Sequence, residues 1–184
     1  MRHSNSQSNY IRAQGADPKN PLDPGVIASQ AIRDPGLSWI GTRDAKGYGP
    51  VLRKRLAAHG FNVEGAIICA SALKRAQDTA RIVFGRRPVV LPHFTENGQV
   101  PENTPAGHAY APPKWGPFIA HLSTIVNDGD SVAVVGHGSF LRSQWERLTG
   151  SPRSRRLENL EGILLDANVS AAGIRIYGFR CIYR

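Results

Sequence analysis

With 184 residues, 41% of them hydrophobic, the chain is long enough to bury one sizeable core, so a single domain over residues 1–184 is expected. Its 23 lysines and arginines outnumber 14 aspartates and glutamates, a formal charge of +9 that suits anionic partners such as phosphate groups, with nucleic acid a lesser option, and says nothing about fold. Two cysteines exclude a disulfide-dense secreted scaffold and favour a reduced, cytoplasmic setting, and no run approaches the roughly 18 apolar residues of a membrane span, so a soluble protein without membrane contact is expected.

The first nine residues are polar. Over residues 14–36, Pro18, Pro21, Pro24 and Pro35 hold their predecessors extended, which predicts an inserted loop. Between Ser38 and His59, Ile40, Val51, Leu52, Leu56 and Ala57 recur at helical spacing; Ser38 is placed to cap the helix and Gly60 to end it, with an interruption expected at Gly47, Gly49 and Pro50. Residues 66–70 form an apolar run without polar alternation, the mark of a buried strand, and lead through Ser71 into a helix over 72–84. A second strand is expected over 88–94. The stretch 97–117, rich in Gly, Pro and Asn, is too long for an ordinary connection and predicts a second inserted loop able to act as a lid.

Residues 118–126 fit a helix, 131–136 a third buried strand, and 140–149 a helix that Gly150 and Pro152 stop. Residues 163–168 and 174–183 read as two late strands turning around Ala172 and Gly173. Alternation of strands with helices predicts an α/β fold, a three-layer sandwich with a mostly parallel central sheet and helices on both faces. The arginine-rich stretch 153–156 reads as a solvated basic surface.

In such a sheet ligands bind beyond the carboxyl ends of the strands. Arg75 follows the first run, Glu96 the second and His137 the third, while Arg2 and His3 open the chain. Two arginines, two histidines and a carboxyl suit phosphoryl transfer: a neutral imidazole attacks phosphorus, guanidiniums fork onto the equatorial oxygens, and a carboxylic acid protonates the leaving oxygen. His59, His93, His108 and His121 show no spacing that would gather metal ligands, so no metal or other cofactor is expected.

Arg2-His3-Ser4-Asn5-Ser6-Gln7-Ser8-Asn9 resembles the Arg-His-Gly-Glu-Ser-x-x-Asn signature of the histidine phosphatase (phosphoglycerate mutase-like) superfamily, matching at Arg2, His3, Ser6 and Asn9. Leu37-Ser38-x-x-Gly41-x-x-Asp44-Ala45 is similar to its Leu-Thr-x-x-Gly-x-x-Gln-Ala segment. Ala70-Ser71-x-Leu73-x-Arg75-Ala76-x-x-Thr79-Ala80 resembles its Ser-Ser-x-Leu-x-Arg-Ala-x-x-Thr-Ala stretch, and Gly136-His137-Gly138-Ser139-x-x-Arg142 its Ser-His-Gly-Gly-x-x-Arg. The motifs fall in family order and span most of the chain.

The resemblance implies a metal-independent phosphomonoester hydrolase with a phosphohistidine intermediate on His3. Arg2, Arg75 and His137 would complete the phosphate pocket, Asn9 and Ser6 would line it, and Glu96 would donate the proton, with Glu102 as its competitor. The substrate would be a phosphorylated small molecule or a phosphoprotein. Two alternatives stand beside it: a phosphoglycerate mutase-like phosphotransferase, against which the short chain counts, and a weak or inactive protein that keeps the fold and binds anions or nucleic acid. One departure matters. Family members run an apolar strand of about half a dozen residues into the Arg-His pair, whereas here Met1 alone precedes Arg2. Three or four absent core side chains at about 1.5–3 kcal/mol each would cost about 5–10 kcal/mol, against a typical domain stability of about 5–15 kcal/mol. The first strand is therefore expected to be missing or truncated, with three readings open: a natural start upstream of Met1, a different segment in its place, or an imperfectly organised pocket with weak activity.

Overall fold

In the computed structural model, residues 1–91, 94–149, 157–170 and 173–182 are described. In chain order the elements are α1 (Gln7–Ala13), α2 (Pro24–Ala31), α3 (Trp39–Ala58), β1 (Ile67–Ser71), α4 (Lys74–Phe84), β2 (Val89–Leu91), a 3-10 turn (Pro101–Asn103), α5 (Trp115–Leu122), β3 (Val132–Val135), α6 (Gly138–Thr149), β4 (Gly162–Ser170) and β5 (Gly173–Ile182).

β1 is flanked by β2 and β3, both parallel to it, with Cys69 opposite Val89 on one side and Val134 on the other. The helical crossovers α4 and α5 impose that direction, since parallel neighbours cannot be joined by a tight turn. β1 is apolar on both faces because both are covered. Ile68 and Ala70 pack with Ala45, Leu52 and Leu56 of α3 and Ala76, Ala80 and Val83 of α4. Cys69 points the other way, among Phe118 and Leu122 of α5 and Phe140 of α6. This is the expected three-layer arrangement. On the second face Phe94 stacks on Phe118 at 4.8 Å and meets Phe140 edge-on at 4.6 Å. A side chain at Gly136 would come within 2.1 Å of the Phe94 ring, so the residue after β3 has to be glycine.

Two local expectations are corrected and one unexpected helix is added. Residues 14–36 are not loop throughout, because α2 starts at Pro24: Asp23 caps it by accepting from the N–H groups of Gly25 and Val26, and proline's fixed φ suits a first helical position. A proline that reads as a breaker is here a start signal. Likewise α1 occupies part of the polar opening, where Ser6 Oγ accepts from Asn9 N at 3.2 Å. Thirdly, α3 runs through Gly47, Gly49 and Pro50 without a break. Gly49 is buried against α4, where a Cβ would lie 3.3 Å from Val83 Cα, so helix packing outweighs glycine's poor propensity. Pro50 is exposed, and water can serve the Lys46 carbonyl it leaves unbonded. The 97–117 segment holds the 3-10 turn, and α5 begins at Trp115, three residues ahead of expectation. His93, Gly150, Pro152, the 153–156 arginine stretch, Ala172 and Tyr183 lie outside the described residues.

β4 and β5 pair antiparallel as a separate two-stranded sheet, and residues 1–3 lie between it and β3. His3 N donates to Gly136 O at 2.9 Å and Gly136 N to Met1 O at 2.8 Å, while Arg2 N donates to Glu161 O at 2.8 Å and Leu160 N to Arg2 O at 3.2 Å. Beside Met1 lies an apolar cavity of about 380 Å³ with walls that include Phe84, Phe118, Val134 and Leu164. The ladder nevertheless extends over the three residues that carry Arg2 and His3. Among the described residues no helix is long and apolar enough to cross a membrane.

Candidate active site

Residues 1–3, β1 and β3 each end at the same edge of the sheet, and each delivers a polar side chain there. His3, 4% exposed, has Nδ1 2.5 Å from the Ser4 carbonyl oxygen. A carbonyl only accepts, so the proton sits on Nδ1 and Nε2 keeps its lone pair. The turn that fixes this ring is itself held: Ser4 N donates to Thr79 Oγ1 at 3.0 Å, Ser4 Oγ to Gly41 O at 2.8 Å, and Ser38 Oγ to Asn5 Oδ1 at 2.8 Å. Gly41 is required for the approach, since a Cβ there would stand 1.9 Å from Asn5 O. Ser38, Gly41 and Thr79 thus support the turn beside His3.

His137 follows β3 and is fully buried. Its ring centroid lies 5.2 Å from that of His3, the planes inclined by 58°. Nε2 is 2.7 Å from Ser71 Oγ, and Nδ1 has no partner among the described residues. Both imidazoles are held well below the ordinary histidine range, first by burial and then by the charges of Arg75 and Arg2. They are therefore neutral near pH 7.

Arg75, in the first turn of α4 and 3% exposed, gives Nη1 to Glu102 O at 2.6 Å and Nη2 to Asn103 Oδ1 at 2.9 Å. Burial pulls its pKa down while the Glu102 carboxylate opposes that; a guanidinium stays charged all the same. Arg2 donates from Nη1 to Leu157 O at 2.6 Å. Both guanidiniums, His3, Ser6, Asn9 and Glu96 line one polar cavity of about 320 Å³. The larger apolar cavity lies beside Met1 and is lined by neither His3 nor His137. Gly138 and Ser139 open α6 at the polar cavity's wall, adding the positive end of a twelve-residue helix.

The two carboxyls differ in their partners. Glu102 is buried and ion-paired with Arg12 of α1. Glu96 is half-buried; its Oε1 accepts from Asn97 N at 3.1 Å and from the Ser139 hydroxyl, and its Oε2 has no partner among the described residues.

No protein-family profile and no curated protein sequence matches the chain. Solved structures do. A mycobacterial glucosyl-3-phosphoglycerate phosphatase in complex with VO3 superimposes with a TM-score of 0.57 at 17% identity, over 96% of this chain and 94% of that one. The phosphoserine phosphatase of Entamoeba histolytica gives 0.52 at 16% identity, over 97% and 93%. A mycobacterial hydrolase gives 0.56 at 14%, over 99% and 95%. This is the histidine phosphatase fold.

On this histidine phosphatase fold the residues singled out from sequence come together: Arg2, His3, Ser6, Asn9, Arg75 and Glu96 share the cavity, with His137 behind His3. Ser6 also serves as the cap of α1. Others at the cavity had not been assigned a place there. Arg12 lies one helical turn from Asn9, a spacing that becomes meaningful only once Ser6 is seen to start a helix. Arg142 and Ser139 stand within a quoted motif, while Ser143 and Glu146 sit further along α6 with no signal beyond helical spacing.

Proposed function

We propose that the chain is a phosphomonoester hydrolase that passes the phosphoryl group through His3. What supports this best is a single juxtaposition: a neutral imidazole with its Nδ1 proton committed to a carbonyl, beside the buried guanidinium of Arg75, the half-buried one of Arg2 and a second neutral imidazole. The fold's solved neighbours, among them two phosphatases, agree with it. In the first half-reaction the Nε2 lone pair of His3 forms a bond to phosphorus as the ester P–O bond breaks, and Glu96 gives its proton to the departing oxygen. In the second half, water attacks phosphorus, its proton passes to the Glu96 carboxylate, the N–P bond breaks, and inorganic phosphate leaves a neutral imidazole.

Each remaining group has a part in this reading. Arg2 and Arg75 neutralise the charge on the equatorial oxygens, and the α6 N-terminus adds to them. Ser71 Oγ accepts from Leu73 N at 3.2 Å, so its own proton is free to go to His137 Nε2; the imidazole proton then sits on Nδ1, a buried donor for a phosphate oxygen. Glu96 is preferred to Glu102 as the acid because Glu102 is committed to Arg12. The substrate is a phosphorylated small molecule or phosphoprotein whose leaving group lies against Arg12 and Arg142 at the cavity rim.

The test is phosphate release from p-nitrophenyl phosphate together with trapping of acid-labile phosphate after a labelled donor. Wild type should turn over and take label; His3→Ala should take none and lose at least about 10³-fold in kcat. Turnover by His3→Ala close to that of wild type would refute the assignment. Isomerisation of 3-phosphoglycerate outrunning its hydrolysis would instead make the protein a mutase.

A further inference from the structure

The 3-10 turn Pro101–Asn103 folds over the Arg75 guanidinium, and Asn103, 4% exposed, uses both ends of its amide. Oδ1 accepts from Arg75 Nη2 at 2.9 Å. Nδ2 donates to Asn97 O at 2.8 Å and Gly98 O at 3.1 Å. With Nη1 given to Glu102 O, two of the guanidinium's five N–H donors are spent on the turn and the others are left for the cavity that Arg75 lines. Asn97, at the other end of the amide, gives its backbone N–H to Glu96 Oε1, and its Nδ2 reaches Ser139 Oγ at 3.3 Å. The Ser139 hydroxyl donates to that same Glu96 oxygen. One buried amide therefore stands between the cation that would hold phosphate and the short segment that carries the carboxyl.

We infer that Asn103 is a positioning residue which, through its two ends, aims the Arg75 guanidinium at the phosphate and sets Glu96 beside the leaving oxygen. The chemistry requires an acceptor and a donor on one short side chain. Aspartate supplies no donor, leucine supplies neither, and serine cannot span from Arg75 to residues 97 and 98. With Oε1 of Glu96 holding two hydrogen bonds, Oε2 is the oxygen that carries the proton to the leaving group. The Glu96 half of the inference rests on the hydrolase reading; the Arg75 half needs only that the cavity binds phosphate.

Asn103→Ala and Asn103→Ser test both halves, with folding checked by circular dichroism melts so that either variant can decide. The first readout is the inhibition constant of inorganic phosphate. The second is the ratio of kcat/KM for a primary alkyl phosphate to that for p-nitrophenyl phosphate, whose phenolate departs without needing a proton. Both variants should bind phosphate about tenfold more weakly, and the ratio should fall by at least about tenfold, because a mispositioned acid penalises only the poor leaving group. Unchanged phosphate binding overturns the Arg75 half. Equal losses on both esters overturn the Glu96 half, and together with unchanged phosphate binding they reduce Asn103 to a purely structural role. If wild type hydrolyses neither ester and gains no phosphate on His3, the hydrolase reading fails, and calorimetric titration of inorganic phosphate into wild type and variants still decides the Arg75 half.

Discussion

The amino group of half-buried Met1 donates to Val134 O at 2.7 Å, and burial lowers its pKa from 8.0 to about 5. A base whose folded pKa lies below its unfolded value is protonated more in the unfolded chain between those limits, so stability rises with pH across them. The gap of 8.0 minus about 5 is roughly three units at about 1.4 kcal/mol each, or about 4 kcal/mol in all. That contribution is present in full above pH 8 and lost as the pH falls to 5. His3 and His137 act in the same direction below their ordinary range, so a control is needed that leaves them untouched. N-terminal acetylation provides it: the ammonium becomes an amide N–H that can still reach Val134 O, and the acetyl group enters the apolar cavity. Urea unfolding of the free and acetylated 184-residue chains at pH 5.5, 7.0 and 8.5 should show a stability difference that shrinks by about 3 kcal/mol from the lowest pH to the highest. Parallel pH curves for the two forms would refute the reasoning.

Other consequences follow from individual contacts. Asp34, at φ 44°, accepts from Lys74 N at 2.7 Å and Ala106 N at 3.1 Å, capping α4 from a distant loop; Asp34→Gly should relieve the backbone yet still lower stability by about 1–2 kcal/mol in urea, and an unchanged midpoint would show the cap to be idle. Gly41→Ala drives a methyl group into Asn5 O, so it should cost about 3 kcal/mol or more and weaken inorganic phosphate binding by disturbing the turn beside His3. Wild-type stability would contradict that. The Cys69 thiol is raised from 9.0 to about 11 by burial, so the unfolded chain loses this proton first, and stability should fall from pH 9 to 11 by up to about 3 kcal/mol. Cys69→Ala should flatten that segment of the curve.

What was legible in the sequence depended on how locally each feature is determined. β1 and β3 were plain because a strand covered on both faces has no polar positions, and α4 because its apolar stripe is unbroken. The candidate site residues were legible because each stands just beyond a strand, as His137 does directly after β3 and Arg75 in the helix that follows β1, or in a motif with fixed spacing. α2 and the continuity of α3 were not, since their signals, Pro24 and Gly49, have two meanings that only tertiary contacts resolve. Asn103 was equally unreadable: it meets Arg75 across 28 residues of chain, and nothing in a Gly- and Pro-rich segment marks one amide as the buried one.

The apolar gap beside Met1 and the ordered candidate site coexist for a reason of scale. Filling that gap would add apolar burial, a sum over many atoms that affects total stability. Holding Arg2 and His3 needs only directional bonds at their own backbone, and the contacts to Gly136, Glu161 and Leu160 provide them on both sides. The site is further secured by elements away from the gap: α3 through Ser38 and Gly41, and α4 through Thr79 and Arg75. Neutral imidazoles also ask little of the fold, since burial disfavours their charge and leaves them in the form that costs least to bury. The costly members are the two guanidiniums, and backbone carbonyls at Leu157 and Glu102 take part of their hydrogen bonding. Those carbonyls solvate the cations without cancelling their charge, which leaves positive potential in the cavity that both arginines line.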